Sequence, residues 1–130
     1  MNIYNKNFDK WNKEKQFVNK KEAIQEFSNG EVWWVKFGIN IGSEQDGIGD
    51  DFERPVVILK KFSSSTFLSV PLTTKKKENK YRVDLSANNN QSYAIVDQMR
   101  VLDSRRLIRK IGQADSVEFT KLKMAVNKLF

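Results

Sequence analysis

From Arg54 to Leu59 the chain reads Arg-Pro-Val-Val-Ile-Leu, an almost unbroken apolar run ending at Lys60 and Lys61. A run of this length bounded by charge is the pattern of a β-strand covered on both faces. The fold must therefore hold one strand in its middle, with protein on either side. Pro55 falls among the first residues of that strand, where a missing amide removes little from the ladder.

The neighbouring segments supply partners for it. Gly30-Glu31-Val32-Trp33-Trp34-Val35 follows a turn signal at Asn29-Gly30, so a first strand is expected over Glu31–Phe37. Trp33 and Trp34 point to opposite faces there, one into the core and the other toward an interface or a stacked base. After a turn at Ser63–Thr66, Phe67–Leu72 reads as a third strand, and Thr74–Asn79 as a loop made basic by Lys75, Lys76 and Lys77. Lys80–Leu85 alternates, with Tyr81, Val83 and Leu85 against Arg82 and Asp84. Asn88-Asn89-Asn90 is a polar turn. The fifth strand, Tyr93–Val96, bends at Asp97-Gln98 before continuing through Met99–Leu102.

Two further helices are expected at the end of the chain. Asp103-Ser104 is read as the cap of a short helix, Arg105–Lys110, stopped by Gly112. Asp115 or Ser116 opens the next, with Glu118 in the capping-box position and Leu122, Ala125, Val126 and Leu129 as an apolar stripe. Asp9–Phe27 is rich in helix formers and predicts one or two helices broken near Val18–Lys20, with Phe8, Trp11, Val18, Ala23, Ile24 and Phe27 turned inward. The order is mainly β with helices, and short antiparallel strands without repeated strand-helix alternation predict a small, strongly bent β-barrel. Residues 1–29 read as a helical extension and 30–130 as the domain proper.

With 130 residues, nine Phe and three Trp, the chain can bury a single core. It has no cysteine, so disulfides and thiolate metal sites are excluded and an intracellular, cytoplasmic setting is expected. No apolar run approaches the roughly 20 residues of a membrane span, and Asn2–Lys15 lacks the pattern of a secretory signal. The net charge of +7 is uneven: +2 over residues 1–29, −5 over 30–53 and +10 over 54–130. A basic body beside an acidic segment points to a polyanionic partner such as RNA or DNA, although lysine-rich surfaces also occur simply as solvated faces. The acidic stretch Gly38–Glu53 holds four of the six glycines and is longer than an ordinary connection between strands.

An arginine opening the buried strand and a threonine closing the next can meet at one sheet end, where a cation and a hydroxyl suit a phosphodiester. The landmarks then fall in a familiar order. Gly30-Glu31-Val32-Trp33, the loop bearing Gly42-Ser43-Glu44-Gln45 and Gly47, Arg54-Pro55-Val56-Val57-Ile58, Leu72-Thr73, and Asp97-Gln98-Met99-Arg100 with Asp103 and Leu107 together resemble the MazF/PemK (Kid) family of toxin endoribonucleases. The resemblance runs from about Gly30 to Phe130. It implies an SH3-like barrel, a homodimer, cofactor-free cleavage of single-stranded RNA, and neutralisation by a small cognate antitoxin whose tail fills the RNA groove.

The resemblance also implies roles. Arg54 and Thr73 fall on the family's catalytic positions, Asp97 on an acidic position used in part of the family, and Glu44 on the loop that gates the site. Gln98 falls on a site-lining position, and Gln45, Lys75, Lys76, Lys77 and Arg100 are expected to contact RNA. Metal-free RNA cleavage uses the 2′-hydroxyl as internal nucleophile, so the protein must take its proton and stabilise a crowded anionic phosphorus. A guanidinium is a two-pronged donor for phosphate oxygens, which assigns Arg54 to charge stabilisation rather than proton transfer. With no histidine in the chain, the base is a carboxylate, water or a backbone group.

Each residue also has a plainer reading. Arg54 can pair with Glu53 or Asp51, Thr73 can be an ordinary strand-end residue, Gln98 can satisfy backbone at a bend, and Lys75–Lys77 can be a solvated loop. The chain departs from some relatives at Ile95, where they carry arginine, and in the additional acids Asp50, Asp51 and Glu53 before Arg54. A gyrase poison of the CcdB type, which shares this fold, and a non-catalytic RNA-binding module are the competing functions.

Overall fold

The computed structural model describes residues 7–20, 26–38 and 52–130. Glu44, Gln45, Asp50, Asp51, Ala23 and Ile24, all singled out above, lie outside the described residues.

Helix α1 (Phe8–Lys20) precedes strands β1 (Glu31–Lys36), β2 (Glu53–Lys61), β3 (Thr66–Thr73), β4 (Arg82–Ala87), β5 (Asn90–Ile95), β6 (Arg100–Asp103) and β7 (Leu107–Gln113). Helix α2 (Ser116–Asn127) closes the described fold. The seven strands form one antiparallel sheet in the order β4-β5-β3-β2-β1-β7, with β6 also on β3. The sheet curls far enough that Ala87, at the end of β4, bridges Ala114, just beyond β7. This is the mainly β, bent-barrel architecture expected from the sequence.

Strand β2 is buried on both faces, as its apolar run requires. Val57 and Leu59 join a core with Val32, Val70, Leu72, Leu85, Ala94, Val96 and Leu122 of α2. Val56 and Ile58 join a second core with Phe27, Trp33, Val35, Phe37, Phe67, Leu102 and Leu107. Burial of these side chains from two sides is what fixes β2 and, through it, the start of the strand at Glu53–Arg54.

Two turns have clear local causes. Asn88 and Asn89 both adopt positive φ, +54° and +63°, and form the two-residue connection between β4 and β5. Asparagine tolerates that region better than other non-glycine residues, and the positive-φ pair matches the twist of a hairpin. At Gly30, φ is +86°, in the left-handed region where a side chain is strained and glycine is not.

The expected helix at Arg105–Lys110 does not form. Asp103 does act as a cap, its carboxylate accepting from Arg105 N at 2.8 Å, but it starts only one 3-10 turn, Ser104–Arg106. Leu107 then begins β7, because β1 has an open edge that needs a second partner and Leu107–Gln113 supplies it. Phe8, expected inside, is exposed, whereas Trp11, Val18 and Phe27 are buried. In α2 the capping box is half realised: Asp115 accepts from Glu118 N at 2.9 Å. The Glu118 carboxylate is used elsewhere, taking hydrogen bonds from Ser86 N at 2.7 Å and Ser86 Oγ at 2.6 Å and so fastening α2 to β4. Leu122 of the expected stripe is fully buried, Ala125 and Val126 are partly buried, and Leu129 is exposed.

Candidate active site

The pairs Val56↔Pro71 and Val57↔Val70 set the register of β2 against β3. Carried two residues further, that register sets Arg54 opposite Thr73. Residues directly opposite in an antiparallel pair share a face, and successive residues alternate, so Arg54 and Thr73 lie on the face that also carries Pro71 and Ser69. Arg54 Nη1 donates to the Leu72 carbonyl at 3.0 Å, which holds the guanidinium at the end of β3. The Thr73 hydroxyl accepts from Lys75 N at 3.2 Å and shapes the first turn of the basic loop. Arg82 reaches the same loop through Nη1 to the Lys75 carbonyl at 3.4 Å.

Strand β3 has two partners along its far side. Thr66–Ser69 pairs with β6 and Leu72–Thr73 with β5, and the chain crosses between them in a 3-10 turn, Val96–Gln98. The expected bend at Asp97-Gln98 is this turn. It leaves Asp97 exposed and Gln98 half-buried beside the middle of β3. Arg100 is opposite Ser69 and therefore on the Arg54–Thr73 face. Its backbone is tied down by Ser69 Oγ, which donates to the Arg100 carbonyl at 2.9 Å, and its guanidinium lies 5.0 Å from the centre of the Phe37 ring. The structure thus brings together Arg54, Thr73 and Arg100 on one face, with Gln98 and Asp97 on the adjoining turn. Lys75, Lys76 and Lys77 are exposed on the loop that leaves Thr73.

Arg106 has no role in the sequence reading beyond its place in the expected helix Arg105–Lys110. It is half-buried, donating Nη1 to the Lys36 carbonyl at 2.9 Å, with its guanidinium 5.7 Å from the Trp11 ring. Burial pushes its pKa down, the neighbouring Arg100 pushes it further, and Asp103 opposes both. An arginine remains charged under such a shift, so Arg100 and Arg106 together give this end of the barrel a concentrated positive field. Leu-Ile-Arg-Lys-Ile over 107–111 does not alternate with period two, so no local pattern signals a strand there, and the cap at Asp103 points to a helix.

Phe52 immediately precedes β2 and has φ +57°. An aromatic side chain in the left-handed region costs roughly 1–2 kcal/mol and persists only where the surroundings hold it. Here its carbonyl accepts from both Phe37 N, at 2.8 Å, and Gly38 N, at 3.1 Å. Its ring is buried against Trp11 of α1, centroids 5.4 Å apart. On the opposite face of the strand, Glu53 pairs with Lys36 at 3.7 Å and Arg109 at 3.7 Å, and Arg109 stacks on Trp34 at 5.2 Å. Glu53 is therefore engaged with cations other than Arg54, and Trp34 is the half-exposed member of the tryptophan pair.

Known proteins agree with this architecture. The Escherichia coli (strain K12) endoribonuclease toxin MazF is 32% identical over 105 residues, covering 77% of this chain and 90% of that protein. The crystal structure of MazF from Deinococcus radiodurans superposes with a TM-score of 0.66 at 22% identity, over 79% of this chain and 94% of that one. A MazE-MazF structure from the same organism gives a TM-score of 0.60 at 19% identity, over 79% and 93% of the two chains. Residues 28–130 match the family described as PemK-like, MazF-like toxin of type II toxin-antitoxin system. With the sequence landmarks in order, the predicted fold observed and most of its length matched, the chain belongs to the PemK-like, MazF-like toxin family.

Proposed function

We propose that this protein is the toxin of a type II toxin-antitoxin pair and cuts single-stranded RNA at selected sequences without a metal ion. The observation that carries the reading is the Arg54 guanidinium anchored on the Leu72 carbonyl, at the end of a β2–β3 register that, carried two residues beyond Val56↔Pro71, sets Arg54 opposite Thr73. The 2′-hydroxyl attacks the adjacent phosphorus, its proton passing to a base. The new O–P bond forms as the bond to the 5′-oxygen breaks, and that oxygen leaves with a proton. The products are a 2′,3′-cyclic phosphate and a 5′-hydroxyl.

Arg54 neutralises charge on the non-bridging oxygens, and Thr73 donates to a second oxygen or orients the nucleophile. Asp97 and Glu44 are the carboxylates assigned to proton transfer. Gln98, Gln45, Arg100 and Lys75–Lys77 bind flanking nucleotides, the cations through phosphates. Residues 1–29 are an extension of a toxin domain spanning 30–130, which acts in the cytoplasm as a homodimer held in check by a cognate antitoxin. The Deinococcus MazE-MazF structure supports such a partner by likeness. No helix among the described residues is long and apolar enough to cross a membrane.

The deciding experiment incubates the purified chain with a long single-stranded RNA in EDTA, beside Arg54→Ala, and maps the fragment ends. Cuts at one short sequence with cyclic phosphate ends, absent with the variant, are expected. RNA left intact by a folded wild-type chain refutes the nuclease; gyrase-dependent DNA breakage or RNA binding without cleavage then identifies the alternative.

A further inference from the structure

Helix α1 precedes the matched family region, yet it is seated on the two chain stems that flank the candidate site. A β-carbon at Gly38 would stand 2.3 Å from the Trp11 indole, so the ring lies directly on that backbone. The same ring is packed on Phe52 and is only 7% exposed. Glu14, one turn further along α1, pairs with Lys36 at 3.6 Å, and Lys36 also pairs with Glu53. Arg106 completes the contact, its guanidinium over Trp11 and its donor on the Lys36 carbonyl. One indole therefore touches both stems, Gly38 and Phe52, and lies under the Arg106 guanidinium.

Phe52 sits in a backbone conformation that an aromatic residue does not hold unaided, two residues before Arg54. Trp11 and Phe52 also form a cluster separate from the two cores of the barrel. Losing the indole therefore frees the Phe52 backbone without removing what folds the sheet.

We propose that Trp11 is a positioning residue for RNA cleavage: by clamping Phe52 against Gly38 it fixes the backbone entering β2 and with it the Arg54 guanidinium. This rests on the nuclease reading above. Because the group being aimed acts on charge that develops in the transition state, misplacing it lowers turnover more than substrate binding.

The test compares Trp11→Ala and Trp11→Phe in the full chain, by steady-state cleavage of a short RNA and by amide exchange. Expected for Trp11→Ala is a kcat lower by about tenfold to a hundredfold, as small displacements of a reacting group produce, with KM nearly unchanged. Trp11→Phe, which keeps an aromatic ring on Phe52, restores most of it. The Phe37 and Gly38 amides, both bonded to the Phe52 carbonyl, should exchange faster in Trp11→Ala while those of Val57 and Val70 do not. Unchanged or increased kcat in Trp11→Ala overturns the proposal, as does a lowered Tm with kcat intact. A wild-type chain that does not cut RNA defeats the nuclease reading instead. The Phe37 and Gly38 exchange rates then still decide whether Trp11 fixes the Phe52 backbone, and unchanged rates overturn that.

Discussion

Arg54 donates a hydrogen bond to the carbonyl of Leu72, eighteen residues away, across the end of two paired strands. The bond fixes a long, flexible cation at the point where Thr73 emerges, so that little side-chain freedom remains to be surrendered when a phosphate arrives. Arg54→Ala should lower kcat by about 10²–10³-fold, the usual effect of removing one donor to a developing oxyanion. Removing the bond to Leu72 should reduce stability by only about 1–2 kcal/mol. Single-turnover cleavage together with urea unfolding separates the two effects, and a collapse of the fold with matching loss of activity would reverse this assignment.

Lys75, Lys76 and Lys77 are exposed and follow Thr73 closely. If they meet phosphates, changing all three to Gln weakens RNA binding most at low salt. The slope of log affinity against log salt should become shallower by about 0.7 for each phosphate that is no longer neutralised. Titrations of a non-cleavable RNA at several salt concentrations measure it, and an unaltered slope would return these lysines to the solvated surface.

Glu31 predicts a pH dependence of stability. Burial raises its pKa, but hydrogen bonds from Lys110 and Trp33 side chains and from Ser28 N outweigh that, leaving it below the ordinary value of 4.5. A carboxylate depressed in the folded state contributes stability that is complete above its unfolded pKa and disappears as pH falls through the folded one. Glu31→Gln should therefore destabilise the protein at pH 7, and the difference from wild type should close at the acid end, below 4.5. Thermal melts of both proteins across that window check the sign.

Glu118 accepts from both the amide and the hydroxyl of Ser86. Glu118→Ala should cost about 1–3 kcal/mol, because it leaves part-buried donors without an acceptor and loosens α2 from β4. Urea denaturation with an unchanged m-value is the expected signature. A variant as stable as wild type would mean water replaces the carboxylate.

The elements legible in the sequence are those whose pattern has a single solution. The two-sided apolar run of β2, the aromatic β1 and the asparagine turn each correspond to one backbone conformation, and all three form, with Asn90 belonging to β5 rather than to the turn. Arg105–Lys110 reads as a helix because its local signals, an acidic cap before it and basic residues within it, are those of a helix, yet Leu107–Gln113 is a strand. What overrides them is the open edge of β1, a partner so much earlier in the chain that no local window contains it. The same distance hides Arg106 and Trp11, whose meaning lies in what they touch. Arg54 and Thr73 are legible by a different route: a strand-opening arginine and a strand-closing threonine can converge at one sheet end, and the resemblance to the toxin family is what singles the two out.

The pairing of β1 with β7 also sets when the molecule can become harmful. Strand β1 opens the barrel at Glu31, and the strand that covers its outer edge ends at Gln113. During synthesis the residues through Ala114 must leave the ribosome before that edge can close and the bridge between Ala87 and Ala114 can form. A product terminated before Leu107 lacks the closing strand, so the architecture ties the finished barrel to translation past Gln113.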